Sequence, residues 1–207
     1  MQYLSAAEAE SLSDEDLDEA VFHHILHRVS QNMANLSEQQ AAISALPTEL
    51  RQLYAVRTLE LEIYNGGFNQ YFFNRGDTFV LDAVRGYQTV GAARLAEVTE
   101  RAADTYQLER EAQERVKLLM KTEGLQAFSD SYKETRFIDF DEPFYKAEEE
   151  AEVRSRRAVY MRQHPKEFEL FELEACWEFL PIDYMNESGL PSLRSDWIDP
   201  CPLRKDG

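Results

Sequence analysis

Glycine and proline are scarce, with eight and seven residues in a chain of 207. A turn-rich all-β fold draws on both for its turns, so their scarcity disfavours one. Cysteine is scarcer still. Cys176 and Cys201 stand far apart and match no zinc-ligand spacing, which excludes a disulfide framework and leads to the expectation of a reducing compartment. There are only four histidines, and none has a glutamate three positions before it, so the di-iron bundle pattern is missing. No Walker A run, no G-x-G-x-x-G, no G-x-S-x-G and no H-E-x-x-H occurs. The usual hydrolase, nucleotide-binding and metalloprotease constellations therefore lack material, and the chain is expected to have no catalytic residues, no metal and no cofactor. No apolar run approaches the length of a membrane span. The opening Met1–Ser5 has neither the basic region nor the apolar run of a secretory signal, so a cytoplasmic location is expected. Basic residues are outnumbered, 22 against 39 acidic ones, for a net charge of −17. A chain this acidic repels phosphates, which argues against direct nucleic-acid binding and against docking on an anionic membrane.

The acidity is uneven. Residues 1–50 hold nine acids and one base, whereas residues 51–100 hold six and five. The nearly neutral second quarter is rich in aromatics and reads as the structural centre, flanked by an acidic segment. Helical periodicity runs through nearly every segment. Ser13 and Asp16 resemble a capping box, and Phe22, Ile25, Leu26, Val29 and Met33 follow on one face, giving a helix over about 14–33. Further helices are expected over about 38–45, 48–64, 68–74, 78–90, 92–107, 109–122, 124–133, 143–163 and 166–179. Phe137–Phe144 shows no clear period and reads as a loop. The 48–64 helix carries apolar residues on more than one face, so it is expected to be the most buried. The fold expected is all-α: a single compact multi-helix domain with an irregular C-terminal arm. Residues 1–46 form an acidic N-terminal segment packing on a main domain of 47–180, and the proline-bearing residues 181–207 form the arm.

The most distinctive run is Tyr64-Asn65-Gly66-Gly67-Phe68-Asn69-Gln70-Tyr71-Phe72-Phe73-Asn74. One of the two glycines is expected to take positive φ and end a helix. Phe68, Tyr71 and Phe72 then give the next helix an aromatic face. The run reads either as a structural corner or as a small pocket beside Asn65, Gly66, Gly67, Phe68, Asn69, Gln70 and Tyr71. It resembles the signature of a bacterial DNA-mimic protein family, formerly a domain of unknown function. Asp82–Ala92 and Arg157–Pro165 resemble that family's following and closing helices, so the likeness spans about 47–170. The resemblance implies an all-α domain that often self-associates. It also implies acidic side chains that imitate duplex phosphates and occupy the DNA-binding face of a transcriptional regulator, with no catalytic residues.

Two acidic groups fit such a role and are the expected partner-binding residues. The first is Asp14, Glu15, Asp16, Asp18 and Glu19, for which the local sequence offers no basic neighbour. The second is Glu148, Glu149, Glu150 and Glu152, which Arg154, Arg156 and Arg157 are expected to neutralise in part along the helix. Carboxylates three or four positions apart on a helix stand about 5–6 Å from one another, close to neighbouring backbone phosphates. A third acidic group is Glu167, Glu169, Glu172, Glu174 and Glu178. The partner expected is a basic DNA-binding protein such as a transcriptional regulator, with homodimerisation a further expectation. The alternative is a small-molecule-binding protein or enzyme, using the pocket beside Asn65–Asn74 or a metal at Glu19, His23 and His27.

Overall fold

A computed structural model describes residues 6–30 and 36–168. These form nine helices and no strand: α1 (Ala6–Ser11), α2 (Asp14–Ser30), α3 (Leu36–Ser44), α4 (Thr48–Arg75), α5 (Val80–Thr89), α6 (Ala93–Glu123), α7 (Leu125–Ser131), α8 (Ile138–Ala151) and α9 (Val153–Gln163). The all-α expectation holds. The arm after 180, both cysteines and all of the third acidic group except Glu167 lie outside the described residues.

Helix α4 is the spine. It is apolar around most of its circumference, as its sequence requires, and it is shared by two cores. Its first half packs Leu50, Leu53 and Tyr54 with Leu17, Phe22, Ile25 and Val29 of α2 and Ala158 and Met161 of α9. Its second half packs Leu59, Ile63, Phe68 and Phe72 with Val84 and Tyr87 of α5, Leu95 and Tyr106 of α6, and Phe144 of α8. Phe72 stacks between Tyr106 and Phe137, with ring centroids 4.8 and 4.7 Å away. Phe79 adopts φ of 64° just before α5 and packs against both cores.

Three boundaries differ from the sequence reading. The expected helices 92–107 and 109–122 are one continuous α6, because no glycine or proline interrupts them. Phe137–Phe144 is not a loop: α8 begins at Ile138 and runs through Pro143. Its irregular apolar pattern arises because Phe137 and Phe144 are buried while Phe140 and Tyr145 pack at the core's margin. The expected helix 143–163 is broken at Glu152, which takes φ of 47°. That turn lets α8 lie along α6 while α9 lies along α2. The short α1 and the start of α3 at Leu36 are additions the sequence reading did not make.

Candidate functional site

The glycine pair sits inside α4 as a kink, since both glycines have non-helical backbone: Gly66 at φ −168° and Gly67 at φ 70°. The expected positive φ is thus found at Gly67, and Phe68 and Phe72 are fully buried. The kink frees the N–H groups that open the second half of α4. The Phe68 N–H donates to Asp141 Oδ1 at 2.9 Å, so a carboxylate from α8 caps the new helical turn. Burial pushes the Asp141 carboxyl up, and the Phe68 N–H pulls it partly back. A Cβ on Gly67 would lie 2.3 Å from Asp141 Oδ2, and one on Gly66 would lie 2.8 Å from the Tyr132 hydroxyl. That hydroxyl donates to the Gly66 carbonyl at 2.7 Å.

Other polar groups of the motif are held by hydrogen bonds. Asn69 donates to Ser131 Oγ at 2.9 Å and accepts from Gln113 Nε2 at 2.8 Å. Glu62, buried before the kink, accepts from Gln70, Asn74 and Arg75 beyond it, at 3.1, 2.7 and 2.9 Å. Tyr71 donates to the Thr78 carbonyl at 3.2 Å. Gly66, Gly67, Phe68, Asn69, Gln70 and Tyr71 therefore build a corner whose polar atoms bond neighbouring protein groups, while Asn65 is exposed. The cleft between Gln52, Val56, Gly86, Val90, Arg157 and Met161 has about 20 Å³, room for a water molecule.

The first acidic group is not the free row its local sequence suggests. Asp18 is only 1% exposed and lies between two arginines. Arg157 grips it with Nε at 2.6 Å and Nη2 at 2.9 Å, and reaches Glu60 at 2.6 and 3.1 Å. Arg57 approaches Asp18 at 3.3 Å and Glu60 at 3.5 Å, and Tyr87 donates to Glu60 at 3.4 Å. Two buried cations thus face two buried anions, the condition under which burying charge is tolerable. Burial works to lower the Arg157 pKa, but Glu60 and Asp18 outweigh it and hold the guanidinium charged. Asp14 pairs with Arg162 at 2.5 Å, Glu15 with Arg154 at 2.8 Å, and Glu19 with Arg57 and His23, both at 3.1 Å. Asp16 completes the capping box, accepting from Ser13 Oγ at 2.6 Å. The expectation that nothing neutralises this group is corrected: its counterions come from α4 and α9, distant in sequence. Among the described residues no three His, Cys, Asp or Glu side chains gather around a metal-sized site.

In the second group, Glu150 pairs with Arg94 of α6 at 2.7 Å and Glu148 accepts from the Tyr64 hydroxyl. Glu149 and Glu152 are exposed, with no ion-pair partner among the described residues. The arginines expected to neutralise this group along its own helix do something else. Arg154 pairs with Glu15, Arg156 donates to the carbonyls of Gly91 and Ala151, and Arg157 lies in the buried quartet.

The structure also brings out a row that the sequence reading passed over. Glu97, Glu100, Asp104 and Glu111 are exposed along one face of α6, opposite its buried stripe. None has an ion-pair partner among the described residues. Their i, i+3, i+7, i+14 spacing was readable, but it is interleaved with Arg94, Arg101, Arg110 and Arg115 and so leaves no local charge excess. Three of those arginines are engaged elsewhere, since Arg94 pairs with Glu150, Arg101 covers the Phe140 ring and Arg110 pairs with Asp77, whereas Arg115 is exposed four positions after Glu111. Helix α8 exposes Asp139, Glu142 and Glu149.

The described residues of this strongly acidic chain are all-helical in fold, and among them no helix is long and apolar enough to cross a membrane. Comparison with family profiles then places it: the chain belongs to the DMP19-like protein family, DNA mimic protein 19 being its namesake, with residues 44–164 matched. No match is found among curated proteins or among solved structures.

Proposed function

We propose that this chain is an acidic protein-interaction module that mimics DNA, acting in the cytoplasm without catalysis. Its target is the DNA-binding face of a basic protein such as a transcriptional regulator. Membership of the DMP19-like family is compatible with this reading. The observation that carries it is the row of exposed carboxylates on α6, Glu97, Glu100, Asp104 and Glu111, none of which has an ion-pair partner among the described residues. The row runs from Glu97 to Glu111, about 21 Å at 1.5 Å per residue, or roughly three-fifths of the ~34–36 Å of one duplex turn. It therefore offers phosphate-like charge over part of a duplex turn. The α2 acids are the weaker choice, because arginines already hold Asp14, Glu15, Asp18 and Glu19.

The test uses immobilised protein, lysate of its own host and duplex DNA. A captured partner should be released by duplex DNA and by salt, since exposed charges are screened within about 8 Å at physiological ionic strength. Reversing Glu97, Glu100 and Asp104 to Lys should abolish capture. A partner that holds this chain and DNA together, or that ignores salt, would refute mimicry.

Self-association belongs to the same proposal. The distal half of α6, residues 107–123, holds four acids and four bases, so it is neutral in a chain of net −17. It also exposes Leu108, Leu118 and Leu119, with Leu125 just beyond. A second copy of this chain is the occupant that meets least repulsion there. Sedimentation of a Leu108→Glu, Leu119→Glu variant should give a monomer where the unmodified chain gives a dimer.

A further inference from the structure

The glycine-pair run buries its aromatic residues Phe68, Tyr71 and Phe72. Tyr64 does the opposite. It stands 50% exposed in the last turn before the kink, on the helix that is otherwise the buried spine. Leaving a ring of this size in water forgoes burial energy, yet several contacts hold it in one orientation. Its ring stacks on Tyr145, with centroids 5.9 Å apart and planes 24° apart. Its hydroxyl donates to the Glu148 carboxylate. Tyr145 is fixed in turn by donating to the Ile63 carbonyl at 2.9 Å. The backbone that follows is set by Gly67 and the Asp141 cap.

An aromatic face beside a carboxylate attracts a cation. A guanidinium suits it best, being planar, able to stack on rings and able to fork onto carboxylates. The chain covers Phe22, Phe140, Tyr106 and Phe73 with its own cations, but among the described residues none lies over Tyr64 or Tyr145. Arg154, whose charge reaches Tyr64, is engaged by Glu15 at 2.8 Å.

We propose that Tyr64, Tyr145 and Glu148 form a receptor for one arginine side chain of a basic protein partner. This rests on the acidic-module reading and gives it a short-range component. Carboxylate rows attract any cation from a distance and do not separate arginine from lysine. A rigid ring beside a carboxylate does.

The test titrates fluorescent nona-arginine and nona-lysine, equal in charge, against the full chain at low and moderate salt. The unmodified chain binds nona-arginine more tightly. Tyr64→Leu weakens nona-arginine binding about three- to fivefold, the value of one exposed cation–ring contact, and leaves nona-lysine and the salt dependence unchanged. Tyr64→Phe keeps the ring and the preference. Glu148→Gln, which keeps the side chain's shape, reduces the preference and decides the matter if Tyr64→Leu melts early by circular dichroism. Reversing Glu97, Glu100 and Asp104 to Lys weakens both peptides alike, which reports on the carboxylate row and not on this site. An arginine preference unchanged in both Tyr64→Leu and Glu148→Gln overturns the receptor. Binding of neither peptide by the unmodified chain overturns the receptor and the acidic-module reading together.

Discussion

Gly67 carries two constraints at once. Its φ of 70° suits glycine, and the space where a Cβ would stand is held by the Asp141 carboxylate. Gly67→Ala should therefore cost about 1–3 kcal/mol through strain and a displaced cap, read as a lower urea midpoint with an unchanged slope. Phe72→Ala removes a ring stacked between Tyr106 and Phe137 and should cost about 3–5 kcal/mol by the same measurement. The corner was largely legible in the sequence, because two adjacent glycines between apolar helical runs have few other uses. The Asp141 cap was not. It comes from 73 residues away, and Asp141 looks like any other acid in Asp139-Phe140-Asp141-Glu142.

At the scale of elements, α2 is bound to the rest by charge as much as by packing. Asp18→Ala leaves Arg57 and Arg157 to share Glu60 inside the protein. Breaking one partner out of such a buried set costs about 3–5 kcal/mol, so the denaturation midpoint should drop steeply. Asp14→Ala, at a pair open to water, should cost under about 1 kcal/mol. The sequence gives periodicity for α2, α4 and α6, and hence the all-α fold, but periodicity cannot assign the acids of α2 to their partners. The one visible sign was Arg57 and Glu60 among the apolar residues of the helix expected to be most buried, where charge must find charge. Acidity counted by quarters misled for the same reason: it sees neighbours along the chain, and the counterions are neighbours in space.

At the scale of the molecule, acid should loosen α2 first. Hydrogen bonds from Arg162 and Ser155 hold the Asp14 carboxyl below its ordinary 3.8, and His23 and Arg57 hold Glu19 below 4.5. These groups bind fewer protons folded than unfolded. Their stabilisation is complete above those ordinary values and is lost as pH falls through the lowered ones. Asp141, shifted upward, acts in the opposite sense: stability falls as pH rises from 3.8 through its folded value. Melting temperature should therefore decline below about pH 4, and hydrogen exchange should show α2 losing protection before α6.

The Asp18–Arg157 bridge spans 139 positions, and that distance also sets a timetable. On the ribosome Asp18 emerges before Arg157. At ~5–20 residues per second Asp18 waits about 7–28 seconds for that guanidinium. During that interval the nascent chain presents Asp14, Glu15 and Asp18 without the arginines of α9 that pair with them. Helix α2 can complete its ionic contacts only when synthesis of the described helices is nearly finished, so it helps close the fold although it is made before α4, α6 and α9.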